Sequence, residues 1–358
     1  MNSLKAYKGK KVLITGHTGF KGAWLAIWLE MLGAKVVGYA LDPVHEEGIF
    51  LSSGIKDYIK DYRGDIRNPA RLTEVFGLEQ PEVVFHLAAQ ALVLESYRNP
   101  VETFEVNIQG TVNVLEAIRQ TPSVKAAVMI TTDKCYENKE WIWGYRESDP
   151  MGGHDPYSAS KGAAELVISS YRRSFFGEKT KAAIASARAG NVIGGGDQSE
   201  NRLVPDIVKA IKQGNPVEIR NPYSTRPWQH VLDPLGGYLQ LGISLLNEPI
   251  GFAEGWNFGP YTSHVYSVKQ VVESIIYHAG RGNWKDLSGM EKPHEANLLL
   301  LDISKAIQKL KWKPVLNFDQ AIKMTVDWYM HAMDNNVLEF TRQQIFSYEQ
   351  LWKSRSGN

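Results

Sequence analysis

The sequence predicts an α/β protein with a doubly wound parallel sheet, followed by a smaller lobe for a substrate. In the first half of the chain, short apolar runs alternate with longer amphipathic stretches, which is the pattern of strand–helix units. Apolar residues occupy consecutive positions in runs such as 11–15 and 126–130, which indicates strands that are buried on both faces. A glycine-rich turn follows the first run, and such folds bind a nucleotide at this turn.

The predicted strands and helices follow one another in a regular order. Strands are expected at residues 11–15, 35–39, 57–62, 81–87, 126–130 and 181–185. Helices are expected at residues 22–32, 69–76, 101–120 and 157–176. Beyond about residue 190 the pattern becomes irregular, and helices return at 268–279, 304–310 and 319–333. We therefore expect a nucleotide-binding domain at 1–190 and a substrate domain at 191–358, part of whose segment 228–262 returns to the first domain.

Composition excludes several classes of protein. Among 358 residues, 40 are Lys or Arg and 39 are Asp or Glu, so the chain has no basic excess for nucleic acid or an anionic membrane. The single cysteine, Cys135, excludes an internal disulfide and a cysteine-based metal cluster, and it favours a reducing cytoplasm. No apolar run approaches the roughly 18 residues of a membrane span, and no signal peptide is recognisable. We therefore expect a soluble, cytoplasmic protein without a metal.

A glycine-rich turn between the first strand and the first helix predicts a dinucleotide site. Gly16, Gly19 and Gly22 have a G-x-x-G-x-x-G spacing, which lets a pyrophosphate approach the backbone at the start of a helix. Two later strand ends should line the same crevice. His86 is interpreted equally well as a functional residue or as a buried structural histidine. The further residues expected to contact the cofactor are Thr18, Phe20, Asp42, Asp65, Ile66, Leu87, Ala88, Ala89 and Gln90.

The end of the second strand carries the adenosine end of the dinucleotide in such folds. An acidic residue usually binds the ribose there, but the corresponding position is Ala40, and Asp42 lies two residues beyond it. Asp42 reaches the ribose only if the chain turns back, which Pro43 favours. We expect no arginine nearby to bind a 2′-phosphate, so NAD is favoured over NADP.

A tyrosine and a lysine four residues apart form the candidate catalytic pair. Tyr157 and Lys161 lie one turn apart on a predicted helix. A nearby ammonium stabilises a phenolate, which lowers the tyrosine pKa and allows it to take a hydroxyl proton. This spacing alone is common. It becomes specific in this chain because Thr132 closely follows the strand predicted at 126–130 and the glycine turn is also present.

Several segments together resemble one enzyme family. HLAA, NIQGT, TTD, PYSASK and ARAGNVIG are similar to segments of extended short-chain dehydrogenases/reductases that act on nucleoside-diphosphate sugars on a Rossmann fold. The resemblance runs from residue 16 to 191 and more weakly to the C-terminus. It implies NAD as cofactor, with Thr132 binding the sugar C4 oxygen and Tyr157 and Lys161 completing the catalytic set. It also implies a homodimer or a dimer of dimers, paired through helices 101–120 and 157–176.

Of the two residues after Thr132, Asp133 resembles the dehydratase branch of this family, whereas Lys134 stands where relatives that act on dTDP-glucose have a glutamate. That branch needs an acid and a base to remove water, and this chain supplies Asp133 and Lys134. Together with GHTGFKGAWLAIWL and TTDKCYENKEW, they imply a nucleotide-sugar substrate, CDP-glucose, and a 4-keto-6-deoxy product for deoxysugar (O-antigen or lipopolysaccharide) biosynthesis. Asp133 suits the acid if it stays protonated. Lys134 suits the base only as a neutral amine, so this assignment is open, and Lys134 is otherwise a surface lysine.

Alternative functions and the substrate contacts complete the set of expectations. A 4-epimerase or reductase of the same family is the alternative, and a non-catalytic dinucleotide sensor is disfavoured because the tyrosine and lysine are both present. Arginine pairs well with phosphate oxygens, although any single arginine also suits a surface ion pair. Relatives carry another phosphate arginine where this chain has 293–297 without one. The residues expected around the sugar diphosphate are Asn191, Arg202, Arg220, Arg226 and His230.

Overall fold

The structure of the protein is a computed structural model that describes residues 2–177, 182–263, 265–288, 298–331 and 336–356. The strands are β1 (Lys11–Thr15), β2 (Lys35–Ala40), β3 (Lys60–Arg63), β4 (Val83–His86), β5 (Ala126–Ile130), β6 (Ala183–Arg188), β7 (Val192–Ile193), β8 (Val217–Ile219), β9 (Thr225–Arg226), β10 (Gln229–His230), β11 (Gly255–Asn257), β12 (Tyr266–Ser267) and β13 (Trp284–Asp286). The α-helices are α1 (Phe20–Met31), α2 (Ile49–Ser53), α3 (Pro69–Glu79), α4 (Val93–Arg98), α5 (Pro100–Phe104), α6 (Gly110–Gln120), α7 (Pro156–Phe175), α8 (Leu203–Gln213), α9 (Leu232–Asn247), α10 (Pro249–Phe252), α11 (Val268–Ala279), α12 (Phe318–His331) and α13 (Val337–Ser356).

Seven parallel strands form the central sheet, in the order β11-β6-β5-β4-β1-β2-β3. This confirms the predicted doubly wound fold. The chain winds outward in both directions from β1 and β4, whose last residues Thr15 and His86 are paired. The strand order reverses between these two strands, so a crevice opens at their carboxyl ends, where α/β sheets bind ligands.

The predicted boundaries hold where a strand or helix is strongly patterned and shift elsewhere. The strand expected at 57–62 is Lys60–Arg63, because Ile55–Tyr58 forms a 3₁₀ turn. The helix expected at 101–120 is interrupted by a π turn at Glu105–Gln109. The helix expected at 304–310 consists mostly of a π turn, Ala306–Leu310. The end of the helix expected at 319–333 lies outside the described residues, as does the start of the strand expected at 181–185.

Two hydrophobic layers cover the two faces of the sheet. One layer contains apolar side chains from α3, α6 and α7. The other is larger and contains residues of α1, α9, α12 and α13, and five of its tryptophans are almost completely buried. These are Trp24, Trp28, Trp256, Trp312 and Trp328. Trp256 belongs to β11, which pairs with β6 at the edge of the sheet, so a late segment of the chain completes the nucleotide-binding sheet.

Several helices were missed by the sequence pattern. α9 is buried around almost its whole circumference, and a helix without a polar face shows no amphipathic period. Its direct packing on β5 and β6 explains this burial. The part of the chain that the structure describes contains no helix long and apolar enough to cross a membrane.

Candidate active site

The glycine turn is packed tightly at two positions and open at the third. Gly16 has a φ of +77°, and a Cβ there would lie 2.6 Å from the Ala88 nitrogen. A Cβ on Gly22 would overlap the Gly16 carbonyl, so α1 packs directly on the turn. At Gly19 the nearest atom to a Cβ is 3.4 Å away. Gly19 is also the N-cap of α1 and provides no side-chain cap, so no side chain caps the first amides of the helix, which is the arrangement expected for an anion site.

The strand ends beside this turn are held by hydrogen bonds. The Leu87 amide donates to the Thr15 carbonyl at 3.0 Å, and the Gln90 amide donates to the Asn107 side chain at 2.9 Å. These bonds place the 87–90 segment, which includes Ala88 and Ala89, along the crevice at the end of β4. The expected contacts of this segment with a cofactor remain predictions.

His86 is a buried structural histidine in this site. Its Nδ1 lies 2.7 Å from the Thr15 hydroxyl and its Nε2 lies 3.2 Å from the Thr111 hydroxyl. Burial lowers the pKa of His86 to about 3, so the ring is neutral. Its hydrogen bonds fix the ends of β1 and β4 at the crevice.

The adenosine end of the crevice differs from the prediction. The Asp42 side chain is 89% exposed and lies 3.5 Å from the Nε of Arg63. Arg63 donates to Asp61 at 2.7 Å, and Asp61 also bonds to His17 at 2.8 Å. The expectation that no arginine lies nearby was wrong, because parallel pairing of β2 with β3 sets Ala40 opposite Arg63. Asp61, which the sequence analysis missed, is the carboxylate that bonds to the glycine turn, through His17.

Asp65 and Thr18 are engaged with the protein itself. The Asp65 carboxylate accepts hydrogen bonds from Arg67 at 2.6 and 2.9 Å, and the Thr18 hydroxyl donates to the Leu41 carbonyl at 3.1 Å. Ile66 is buried, and its side chain fills the space that a Cβ on Gly110 would occupy. These contacts shape the crevice floor, and binding of a cofactor to these residues remains a prediction.

Thr132, Asp133 and Tyr157 lie together in a buried cluster at the end of β5. They are 5%, 2% and 8% exposed. The Thr132 hydroxyl donates to Asp133 at 2.9 Å and is also hydrogen-bonded to the Tyr157 phenol. The Asp133 carboxylate occupies the space where Gly190 would carry a Cβ, and the Asn191 amide lies 3.5 Å from it. A buried carboxyl group therefore stands beside the tyrosine and threonine, with water largely excluded.

The pKa of Tyr157 differs from the sequence expectation, and burial also shifts the pKa of Lys161. Burial raises the pKa of Tyr157 to about 12, although its hydrogen bond to Thr132 lowers it in part. Burial lowers the pKa of Lys161 to about 8, and its ammonium donates to the Ile130 carbonyl at 3.2 Å. The expected depression of the phenol pKa is absent from this structure because desolvation of the phenolate outweighs every favourable contact.

Two further lysines lie at the candidate site. The Lys134 amide donates to the Thr132 hydroxyl at 3.3 Å, and within the described ranges its ammonium has no hydrogen bond or ion pair. Lys21, in the first turn of α1, was missed by the sequence analysis. Burial and the positive charge of Arg202 lower its pKa to about 8, while Asp133 acts in the opposite direction. The presence of a lysine beside the glycine turn could have suggested Lys21 as a site residue. The direction of its side chain, however, depends on tertiary packing.

The residues expected around the sugar diphosphate do not all lie in one place. Arg202 precedes α8, pairs with Asp197 at 2.8 Å and is close enough to affect the pKa of Tyr157. Arg226 lies in β9 and donates to the Thr225 carbonyl at 3.1 Å. Arg220 is exposed after β8. A cavity of about 380 Å³ adjoins these strands, and it is lined by Asn221, Pro222, Tyr223, Ser224, Thr225, Ser288 and Leu298.

His230 lies in the core instead of on the wall of the cleft. It is fully buried, and its ring packs edge-on against Trp24 with centroids 5.9 Å apart. Its Nδ1 accepts from the Leu232 amide, and burial lowers its pKa to about 3. The expected substrate contact is therefore absent, because pairing of β10 with β7 turns this side chain inward. Segment 293–297, where relatives carry another arginine, lies outside the described residues.

Similarity to known proteins agrees with this geometry. A family model described as GDP-mannose 4,6 dehydratase matches residues 13–325. The chain is also 47% identical, over 327 residues, to the CDP-glucose 4,6-dehydratase of Salmonella typhimurium strain LT2, with 90% of this chain and 91% of that protein covered. The chain belongs to the GDP-mannose 4,6 dehydratase family.

Solved structures related to this family share the fold. The dTDP-glucose 4,6-dehydratase from Bacillus anthracis, in complex with NAD, has a TM-score of 0.74 at 21% identity, covering 90% of this chain and 97% of that one. The UDP-glucose 4-epimerase of Thermus thermophilus, also in complex with NAD, has a TM-score of 0.75 at 25% identity, covering 89% and 99%. In the described segments, no group of three or more His, Cys, Asp or Glu side chains is arranged to hold a metal.

Proposed function

We propose that this chain converts CDP-glucose into CDP-4-dehydro-6-deoxyglucose and water, a step towards deoxysugars. The observation that carries the proposal is the buried contact between Asp133 and Thr132, at 2.9 Å, beside Tyr157. Removal of water needs an acid next to the groups that oxidise C4. The 47% identity to a CDP-glucose 4,6-dehydratase over 90% of the chain supports this substrate.

The cofactor in this proposal is NAD. The open face of Gly19, the uncapped start of α1 and the close approach of Gly16 to Ala88 suit a pyrophosphate. Lys161 would hold the nicotinamide ribose. When bound, NAD would supply the redox chemistry, as the hydride acceptor at C4 of the sugar and the hydride donor at C6, so that the overall reaction would leave it unchanged.

In this proposal, each proton transfer is assigned to a side chain in or beside the buried cluster. Thr132 would hold the C4 oxygen while Tyr157 takes the hydroxyl proton. Loss of this proton together with the C4 hydride gives a 4-ketone, which acidifies the proton on C5. Asp133 protonates the C6 hydroxyl as it departs, so one molecule of water is formed. Lys134 takes the C5 proton as a neutral amine, and a proton returns to C5 when the product forms. Lys21 is the alternative base, because it lies close enough to Asp133 for their charges to interact.

The remaining contacts are proposals of the same kind. Asn191 contacts the sugar, and Arg202, Arg220 and Arg226 provide positive charge for the diphosphate. Residues 1–190 would form the NAD-binding domain, and residues 191–358 the sugar-nucleotide domain, with part of 228–262 returning to the first.

A 4-epimerase or reductase of the same family is the second candidate, since both would use Tyr157 and Lys161. Incubation with CDP-, dTDP-, UDP- and GDP-glucose separates the possibilities by mass spectrometry. A dehydratase removes one water from the sugar and, in deuterated water, adds one deuterium at C5. An epimerase leaves the mass unchanged, and this result with CDP-glucose would replace the proposal.

We also propose that the chain forms a homodimer or a dimer of dimers in the cytoplasm. Val101 on α5 and Leu166 on α7 are 70% and 62% exposed, although apolar side chains on paired helices are normally covered. The buried, unpaired Cys135 suits a reducing compartment. Light scattering of the wild type and of Leu166→Glu measures the assembly, and an unchanged monomeric mass in both would contradict it.

A further inference from the structure

Two successive turns of α7 hold the end of β5 in place. Lys161 donates to the Ile130 carbonyl at 3.2 Å, and Glu165, one turn later, accepts from the Thr131 hydroxyl at 2.5 Å. Residues four apart lie on the same face of a helix, so both side chains reach the same strand. Thr131 directly precedes Thr132, so Glu165 bears on where the Thr132 hydroxyl lies.

Glu165 is a fully occupied, buried carboxylate. Arg188 donates to its two oxygens at 2.9 and 2.8 Å, and the two side chains are only 6% and 4% exposed. Ser186 donates to Oε2 at 2.8 Å, whereas Thr131 donates to Oε1. A buried ion pair contributes little stability compared with a well-packed apolar pair of the same size. The role of this pair is therefore sought in its effect on neighbouring side chains and not in the stability of the fold.

The charge of Glu165 acts on Lys161. Burial lowers the pKa of Lys161 to about 8, and Glu165 is the first group that opposes this, followed by Cys135. From other elements, Lys21 on α1 and His86 on β4 also interact electrostatically with Lys161. Lys21 is a cation and His86 is neutral, so neither replaces the negative charge of Glu165.

We propose that Glu165 is a positioning residue of the active site. Its carboxylate, held by Arg188, fixes the end of β5 through Thr131 and maintains the charged form of Lys161 from one helix turn away. It acts through these residues, since Thr131 and Arg188 occupy its oxygens. The inference deepens the proposed function and rests on it wherever turnover is measured.

A matched pair of variants separates this role from a purely structural one. Thr131→Val removes a hydrogen bond to Glu165 at the catalytic strand end, and Ser186→Ala removes one to the same carboxylate from the middle of β6. We expect Thr131→Val to lower kcat about tenfold, the typical effect of losing a bond to a charged group. Its KM for CDP-glucose should stay within about twofold, and Ser186→Ala should retain near-normal kcat. Equal effects on kcat per folded molecule would overturn the proposal.

The charge can be tested without substrate. Nitrogen-15 NMR of lysine-labelled protein follows the titration of Lys161 in wild type and in Glu165→Gln. We expect the variant amine to titrate about one pH unit lower, because a nearby opposite charge has been removed. If the unpaired Arg188 prevents folding, Glu165→Gln combined with Arg188→Met removes that cation and permits the same measurement.

These outcomes separate the inference from the proposed function. A Lys161 titration that does not move would overturn the electrostatic part, whatever the substrate is. A wild-type protein that leaves CDP-glucose unchanged would instead contradict the proposed function, and the NMR titration would still decide the role of Glu165.

Discussion

Burial raises the pKa of Tyr157 to about 12 and lowers those of Lys161 and Lys21 to about 8. In a dry site every charged form is penalised, whatever its sign. Tyr157 therefore becomes a base only when further interactions favour its phenolate. The Thr132 hydrogen bond already acts in this direction, and the positive charge of Lys161 and of the bound cofactor would add to it.

Replacing Tyr157 tests the first proton transfer. Tyr157→Phe removes the hydroxyl that takes the C4 proton, and every later step depends on that transfer. We expect turnover of CDP-glucose to fall by at least about a thousandfold, within the range for general acid–base catalysis, while calorimetry shows substrate binding largely retained. Near-normal turnover would remove Tyr157 from the catalytic set.

Replacing Asp133 tests the division between oxidation and loss of water. Asp133→Asn retains the size of the side chain and a hydrogen bond with Thr132, but it cannot protonate the departing hydroxyl. We therefore expect oxidation at C4 to continue while elimination slows, so that reduced cofactor accumulates and is seen by stopped-flow absorbance. If formation of reduced cofactor and release of product slow equally, Asp133 serves only to orient the site.

The sequence predicted the members of the site that belong to local motifs, but not those created by packing. Thr132 and Tyr157 follow from a strand end and a helical spacing, and the structure brings them into hydrogen-bond contact. Arg63 was missed because its proximity to Asp42 arises from pairing of β2 with β3. His230 was misplaced because no local pattern shows that its short strand turns inward. The pattern likewise gave no indication of the Glu165–Arg188 pair.

At the level of elements, the glycine turn combines two physical requirements. Gly22 allows α1 to pack against the Gly16 carbonyl, whereas Gly19 has an ordinary φ of −79°, and a Cβ there would meet only the Gly16 carbonyl oxygen, at 3.4 Å. One glycine is therefore needed for folding and the other for access of a ligand to the helix N-terminus.

Alanine substitutions separate these two requirements. Gly22→Ala should destabilise the fold by about 1–3 kcal/mol, the usual cost of overpacking, because its Cβ would overlap backbone. Gly19→Ala should fold normally but bind NAD at least about tenfold more weakly, since its methyl group enters the pyrophosphate space. Thermal unfolding and calorimetric titration measure the two effects.

Gly77→Ala is the matched control for these variants. Gly77 lies in α3 with nothing within 4 Å of a Cβ, so alanine should preserve NAD binding and slightly increase stability. Similar NAD affinities in Gly19→Ala and Gly77→Ala would contradict the assignment of the open face.

The clarity of its apolar pattern decides whether an element could be predicted. β1, β5 and α11 have the boundaries expected from their apolar patterns, because β1 and β5 are short, unbroken apolar runs and α11 has a clear helical period. α9 was missed because it is apolar on nearly all sides. α13 was missed although it supplies Tyr348 and Trp352 to the core, because its remaining surface is largely polar.

Considered as a whole, the molecule closes its larger core with its C-terminal third. Asp233, at the start of α9, joins three distant segments there. Its Oδ1 accepts from the Val315 amide at 2.7 Å and from the Tyr348 hydroxyl at 3.0 Å, and its Oδ2 accepts from the Leu316 amide at 3.4 Å. A buried carboxyl thus stands in place of an apolar contact at the junction of α9, the 315–316 segment and α13.

This junction makes stability depend on pH in a predictable direction. Burial raises the pKa of Asp233 from 3.8 to about 7, although its hydrogen bonds act to lower it. Between these values the unfolded chain has released the proton and the folded chain still holds it, so rising pH favours unfolding. The resulting loss in the free energy of unfolding is at most about 4 kcal/mol. It is complete above about pH 7 and absent below about pH 4.

Asp233→Asn should abolish this dependence. The amide oxygen still accepts from Val315 and Tyr348, but the side chain cannot ionise. Compared with wild type, we therefore expect the variant to gain stability steadily as pH rises from about 4 to about 8, because it avoids the cost of ionising a buried carboxyl. Denaturant unfolding at several pH values measures the difference, which cancels the contributions of other groups such as Glu165. A difference that is constant across this range would show that Asp233 is ionised in the folded protein at every pH tested.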